Sequence, residues 1–340
     1  MAEPDPDLWP RILQRLIAHE SLSADEAAAA MRTIMSGDVT PGQVGGFLMA
    51  LRTKGETVGE LDGLARAALE FATPVAAPGP VVDTCGTGGD RSGTFNISTL
   101  AAIVAAGAGA TVAKHGNRAA SSRCGSADLL EALGVRIDLD ADDVQRCVAE
   151  AGIGFMFAPV FHPAFGHANP VRRELRVPTT FNFLGPLTNP ARPAAQVVGV
   201  SDPRMLPLVA QVLARRGTRA TVFRGGDGLD ELSTTGPSTV VRIDQGIEEL
   251  TVDPEELGIP RATPDDLAGG DAEASARIAR SVLAGDPGPA RDIVVLNAGA
   301  ALDVAGLAPD LRGGLELAAA SIDEGRAVGA LERWIAVSNA

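Results

Sequence analysis

The sequence predicts an α/β chain in two parts: a small all-helical domain, then a larger domain with a mainly parallel sheet flanked by helices. Three observations carry this. Before residue 72 the apolar spacing is helical throughout, and three segments begin on the same capping pattern. Residues 73–80 hold three prolines and a glycine, a linker composition. Beyond Pro80 short apolar strand candidates alternate with helical stretches, which implies parallel strands covered on both faces.

The first helix is read from Leu8, Ile12, Leu16 and Ile17 within residues 8–19. Three further starts follow, with Ser23 before Glu26, Thr40 before Gln43, and Thr57 before Glu60. In each, two side chains satisfy orphan N–H donors reciprocally. Pro41 suits the first helical position, and Gly37 and Gly55 are placed to end the first two of these helices. Strands are expected at 81–85, 111–114, 153–157, 196–201, 219–223 and 239–243. Helices are expected from about Ser98, at 126–133, at 140–151, between the strands at 196–201 and 219–223, and through the tail from Asp271. Residues 169–190 break the alternation, with Asn169 and Pro170 suited to a helix start. The expected division is 1–75 as the helical domain, with 169–190 returning to it, and 80–168 plus 191–340 as the α/β domain.

A chain of 340 residues fits about two domains and a large core. Hydrophobic residues are 45% and charged residues 21%, but aromatics are only 4% and tyrosine is absent, so aliphatic side chains must fill the interior. The net charge of −14 argues against nucleic acid and anionic membranes as partners. It leaves room for phosphate ligands, which backbone N–H groups and metals bind locally. Cys85, Cys124 and Cys147 are too few and too scattered for a disulfide framework or a zinc site. Residues 1–10 lack a signal-peptide pattern, and the most apolar stretch, 100–113, is shorter than the ~18 residues of a span. The expectation is a reduced, cytoplasmic protein.

Four segments could carry chemistry. Gly86-Thr87-Gly88-Gly89-Asp90 follows a strand, and Gly93 to Thr99 leads into a helix. Consecutive N–H groups there can form an anion nest, strengthened by the helix N-terminus. It is neither a Walker A loop nor G-x-G-x-x-G, since Arg91 stands where the third glycine belongs. A plain tight turn is the competing reading. Lys114 to Ser122 also follows a strand, so both loops should meet over one crevice at the strand ends. Its lysine, arginine, asparagine and serines suit a pyrophosphate. Ser126 is read either as a ligand contact or as the cap of the next helix. Asp227 to Ser233 places Asp230 and Glu231 side by side, which a magnesium ion with retained waters would relieve. An acidic surface turn is the alternative. Arg172 and Arg176 would share a helical face, either gripping a carboxylate or paired with Glu174.

Together these segments resemble the anthranilate phosphoribosyltransferase family, from about Pro10 to the C-terminus. The carrying motifs are Asp83 to Asp90, Lys114 to Ser122 with Gly125-Ser126-Ala127-Asp128, Asn182 to Pro190, and Asp227 to Glu231. The resemblance implies the type III phosphoribosyltransferase architecture shared with nucleoside phosphorylases: a helical domain, an α/β domain and a hinged cleft. It implies a homodimer joined through the helical domains. It implies that Mg2+ is held by Ser98, Asp230 and Glu231, with Lys114, Asp230 and Glu231 as the catalytic set. Phosphoribosyl pyrophosphate contacts are implied at Gly86, Gly88, Gly89, Asp90, Thr94, Asn96, Ile97, Ser98 and Thr99. They continue at Lys114, His115, Gly116, Asn117, Arg118, Ala119, Ala120, Ser121, Ser122 and Ser126. Anthranilate contacts are implied at Gly86, His115, Asn117 and Arg172. The chain departs from the family pattern at Phe165, Gly166 and Val177-Pro178, near the expected aromatic-substrate entrance. A pyrimidine nucleoside phosphorylase would share the architecture without needing the acidic pair. A nucleic-acid-binding relative and a non-catalytic small-molecule sensor are two more competing readings.

Overall fold

The computed structural model describes residues 7–119 and 123–340. Helices α1 (Leu8–Ile17), α2 (Ala24–Ser36), α3 (Pro41–Lys54) and α4 (Val58–Glu70) form the N-terminal bundle. All three expected capping boxes are made, with Ser23, Thr40 and Thr57 each accepting from the backbone N–H three residues on. Glu60 does more than cap. It is fully buried, accepts from the Leu22 N–H at 2.9 Å and pairs with Lys54 at 2.9 Å. One carboxylate thereby ties the start of α4 to the end of α3 and to the turn before α2. Gly37 ends α2 in the left-handed conformation. Trp9 packs edge-on against Phe47, holding α1 on α3.

The larger part holds β1 (Val82–Gly86), α5 (Ile97–Gly107), β2 (Val112–Gly116), α6 (Ser126–Leu133), α7 (Ala141–Ala151) and β3 (Ile153–Phe157). After α8 (Ala158–Phe161) and α9 (Asn169–Leu175) come β4 (Ala195–Gly199), α10 (Leu206–Arg215), β5 (Arg219–Gly225), β6 (Ser238–Ile243) and β7 (Ile247–Val252). The tail is α11 (Ala272–Leu283), α12 (Pro289–Val304), α13 (Leu311–Asp323) and α14 (Arg326–Ser338). One seven-stranded sheet runs β3-β2-β1-β4-β5-β6-β7. The first five strands are parallel, and β6 and β7 are antiparallel additions at one edge.

β7 has no clear signature in the sequence. Its side chains are mostly exposed, and Glu248 and Glu249 break the apolar alternation. An edge strand with one face in water tolerates this, because backbone pairing to β6 makes it a strand. Two local expectations are corrected. Ser126 does not cap α6: Gly125 occupies the cap position, and the Ser126 hydroxyl donates to the Asn117 carbonyl at 3.1 Å. Arg176 does not share a helical face with Arg172, since α9 stops at Leu175 and Arg176 turns into the left-handed region at φ 55°.

Two buried clusters divide the interior. One gathers α5, α7 and the α11–α14 tail on one face of the sheet. The other joins the bundle helices, Val171, Phe181 and Leu187 to α10 and to Val198, Val222 and Val241 of β4–β6. The bundle and the segment 168–187 thus share apolar packing with the second sheet face through α10. The three cysteines, all among the described residues, form no disulfide. No described helix is long and apolar enough to cross a membrane.

Candidate active site

Parallel pairing places Gly86 beside Gly199, and Gly199 beside Phe223. The loops leaving β1, β4 and β5 therefore emerge together at one sheet edge, where parallel α/β sheets bind ligands. Gly88, Gly89 and Gly93 have φ of 68°, 84° and 70°, a left-handed course that glycine adopts without strain. Ser201, leaving β4, pins this loop by donating from its hydroxyl to the Gly88 carbonyl at 2.8 Å.

The acidic turn after β5 sits directly on the glycine loop. The Gly88 N–H donates to Asp230 Oδ2 at 2.6 Å, and the Ser98 N–H at the start of α5 donates to Glu231 Oε1 at 3.1 Å. Gly86 and Gly199 make this possible, since a Cβ on either would overlap Asp230. The surface-turn alternative fails for these two residues, as both carboxylates are turned into the strand-end crevice. Burial pushes both carboxyls well above their ordinary range, and the charge of Asp90 adds to the rise for Asp230 and that of Asp230 to the rise for Glu231. The Lys114 ammonium partly opposes this for Glu231.

Lys114 is almost fully buried on β2, and its Nζ donates to the Thr84 carbonyl on β1. Beside it Asp83, fully buried, accepts from Asn189 Nδ2 at 2.8 Å and from the His115 N–H at 3.2 Å. At the start of α5, Asn96 Oδ1 and Thr99 Oγ1 are buried without a partner among the described residues. Asn96 fills the cap position without capping, and its amide instead donates to the Cys124 carbonyl at 3.1 Å. Ile97 places its side chain in the core, leaving only its backbone toward the loop. Thr94 is half-buried and bridges to Ala268.

The second loop is partly committed elsewhere. Arg118 pairs with Asp128 at 2.9 Å and with Glu131, and lies over the Phe157 ring. Asn117 is exposed and accepts from the Arg118 N–H, and the Ala119 N–H donates to Asp128. Gly116 ends β2. Ala120, Ser121 and Ser122 lie outside the described residues.

His115 begins a run of packed rings beside the second loop. Its ring lies 5.0 Å from that of His162, which meets Phe165 edge-on at 5.6 Å, and Phe165 meets Phe181 at 5.7 Å. The Arg172 guanidinium lies over Phe181 and donates to Asn169 Oδ1 at 3.3 Å; among the described residues it has no carboxylate partner, Glu174 included. His115 Nδ1 faces the Gly185 carbonyl and His162 Nε2 the Thr188 carbonyl at 2.8 Å, which leaves His115 Nε2 and His162 Nδ1 buried without partners among the described residues. Asp83, Asn189, His162 and Phe181 are site residues that sequence reasoning misses. Their motifs are visible in the chain, but their roles come from partners up to 106 residues away.

Two carboxylates flanked by anion-binding N–H groups suit a hard cation together with a polyphosphate. Among the described residues no group of three or more His, Cys, Asp or Glu could hold a metal alone, so a cation here must complete its shell with water and ligand oxygens. Fold and site define a two-domain glycosyl transferase: residues 10–72 match the helical bundle domain and 78–328 the α/β domain of the Glycosyl transferase family. An anthranilate phosphoribosyltransferase of Arthrobacter sp. (strain FB24) is 56% identical, covering 99% of this chain and 98% of that protein. The crystal structure of the anthranilate phosphoribosyltransferase from Thermus thermophilus superposes with a TM-score of 0.92 at 46% identity, covering 97% of this chain and 99% of that one. The Saccharomyces cerevisiae enzyme in complex with PRPP and Mg superposes at 0.90 with 29% identity, over 98% and 99% of the two chains. The chain belongs to the anthranilate phosphoribosyltransferase family.

The histidine pair yields an expected outcome. Burial holds His115 down at about 3 and His162 at about 4, against an ordinary 6.5. Unfolding therefore takes up protons between pH 6.5 and these values, so stability from keeping the rings neutral is present above 6.5 and lost as pH falls. His162→Asn, which can still donate to Thr188, should flatten the fall in unfolding free energy between pH 6 and 4.5. The change should be up to about 1.4 kcal/mol per pH unit. Urea unfolding across that range measures it, and an unaltered slope would show that His162 is not buried neutral.

Proposed function

We propose that the chain transfers the phosphoribosyl group of 5-phosphoribosyl 1-pyrophosphate to the amine of anthranilate, giving N-(5-phosphoribosyl)anthranilate and pyrophosphate in tryptophan biosynthesis. The carrying observation is the seating of Asp230 and Glu231 against Gly88 and Ser98 beneath the strand ends. The nitrogen lone pair of anthranilate forms a bond to ribose C1 while the C1–O bond to pyrophosphate breaks, its electron pair leaving with the pyrophosphate. The amine proton passes to solvent or to the substrate's own carboxylate. The transition state is oxocarbenium-like, so catalysis is positioning and charge stabilisation.

Backbone N–H groups of the glycine loop and of the start of α5, other than those of Gly88 and Ser98 that the two carboxylates already take, would hold the pyrophosphate, with Asn96, Ser98 and Thr99 as polar neighbours. Lys114 would add fixed positive charge on the same side. Asp230 and Glu231, with Ser98 at their edge, would hold Mg2+, which supplies positive charge to the departing pyrophosphate when bound. Asp83 and Asn189 hold the backbone of β2 in place under Lys114 and His115. The acceptor would enter the compartment of His115, Phe165 and Phe181, with Arg172 receiving its carboxylate. Gly86 and Asn117 would lie between the two substrates.

In this reading the bundle and residues 169–190 form one unit facing the α/β unit. The protein would be a cytoplasmic homodimer joined through its bundle. Ile17, 71% exposed on α1, and Met49, 36% exposed on the packed α3, offer an apolar surface for a second copy. Light scattering should give twice the chain mass, and Ile17→Glu should shift it toward the monomer. A wild-type monomer at micromolar concentration rules the dimer out.

The reaction is followed by loss of anthranilate fluorescence with phosphoribosyl pyrophosphate, with and without Mg2+. Asp230→Asn with Glu231→Gln should lower kcat by about 10²–10³ while the fold stays intact by circular dichroism. Near-normal turnover in that double variant rejects the metal assignment. Arg172→Ala should raise KM for anthranilate about tenfold or more, the worth of a charged hydrogen bond, with KM for the phosphoribosyl donor little changed. An anthranilate KM that stays put removes Arg172 from the acceptor site.

A further inference from the structure

Lined in part by Pro186, Leu187 and Asn189 is a cavity of about 540 Å³ that neither histidine lines. It opens where α4 of the bundle meets α10 and the beginning of β4, at the end of the sheet away from the crevice. Three guanidinium groups line it, from Arg66, Arg192 and Arg216, against the one carboxylate of Asp62. Two of the three are occupied: Arg216 pairs with Asp62 at 3.0 Å, and Arg66 with Asp25 at 2.7 Å. Arg192 is exposed and has no side-chain partner among the described residues. It is also held at φ 47°, a conformation that non-glycine residues seldom adopt. The walls between these charges are apolar, from Leu69, Pro193 and Leu213.

The cavity and the acceptor compartment share one stretch of backbone. Four successive carbonyls each face a side-chain nitrogen. The outer two, Gly185 and Thr188, face His115 and His162. The inner two, Pro186 and Leu187, accept from the cavity-lining Gln196 at 2.9 Å and Arg216 at 2.7 Å. Asn189 follows at once, donating to Asp83, which in turn holds the His115 N–H. A ligand that draws Arg216 or Gln196 toward itself pulls on the carbonyls between the two histidines.

We propose that this cavity binds a small organic anion, a carboxylate on an apolar body, and that its occupancy alters acceptor binding through residues 185–189. A lone guanidinium in a fixed fork receives a carboxylate bidentately, and the surrounding leucine and proline side chains take the apolar part. Inorganic phosphate would satisfy only the charge and leave those walls wet. The binding half stands apart from the proposed reaction; the coupling half rests on the acceptor reading of the histidine compartment.

The test uses 3-phenylpropionate, which carries no amine, titrated calorimetrically into the full-length protein. Binding should appear in the wild type and in Arg172→Ala, and weaken at least about tenfold in Arg192→Asn, a replacement that tolerates the left-handed conformation. Inorganic phosphate should bind far more weakly. In turnover, saturating probe should change the anthranilate KM at least twofold in the wild type and leave it unchanged in Arg192→Asn, whose kcat without probe matches the wild type. By reciprocity anthranilate must shift the probe's affinity by the same factor. Binding lost in Arg172→Ala but kept in Arg192→Asn would place the probe in the acceptor compartment and overturn the proposal. No binding, equal binding of phosphate, or an unmoved anthranilate KM with the cavity filled would overturn it as well. A wrong acceptor reading is separately visible, because Arg172→Ala would then leave the anthranilate KM unchanged while the probe still bound.

Discussion

The site depends on one close approach. The turn carrying Asp230 and Glu231 lies against two strand ends that bear no side chains there, Gly86 and Gly199. Only then can Asp230 accept from Gly88 and Glu231 from Ser98. Two carboxylates are held in a desolvated place with a backbone anion nest at their side. Neither charge is comfortable alone, and each makes the other costlier. A cation and a polyphosphate arriving together would relieve both, which is why the proposed reading puts a metal–diphosphate complex there.

The rest of the architecture supports that contact. Parallel pairing brings the ends of β1, β4 and β5 to one edge. Lys114 and Asp83 on adjacent strands form a buried layer of opposite charges beneath it, and Asn189 completes the layer from the segment that crosses under the bundle. The acidic pair and the glycine turn thus sit on loops at the strand ends, while the aromatic run of His162, Phe165 and Phe181 is made where residues 162–185 fold back. In the proposed reading the phosphates lie over the strand ends, and the acceptor lies against the segment that carries Phe165, Gly166 and Val177-Pro178.

Residues 183–189 are therefore crowded with duties. They complete an apolar cluster with the bundle through Phe183, Leu184 and Leu187, and they present carbonyls to groups on both flanks. Short 3-10 turns leave carbonyls such as those of Pro186, Leu187 and Thr188 free of backbone partners among the described residues, and polar side chains can take them, while the Gly185 carbonyl also accepts from the Thr188 N–H. The same property that stabilises the crossing also lets the two flanks communicate.

Local chemistry was legible from the chain alone. Capping boxes at Ser23, Thr40 and Thr57, and the glycine turn after β1, are decided within a few residues of sequence, so the amino acids themselves dictate them. The alternation beyond Pro80 revealed the parallel sheet, but the acidic pair was open between a magnesium site and a surface turn until the fold seated it against Gly88 and Ser98. What stayed hidden was set by distant partners or by backbone alone. Asp230 meets Gly88 across 142 residues, β7 is a strand only because β6 is beside it, and Arg176 leaves its helix where α9 runs out. The Arg192 cavity forms only when α4, α10 and the start of β4 are packed, because no single stretch of chain contains more than a fraction of its wall.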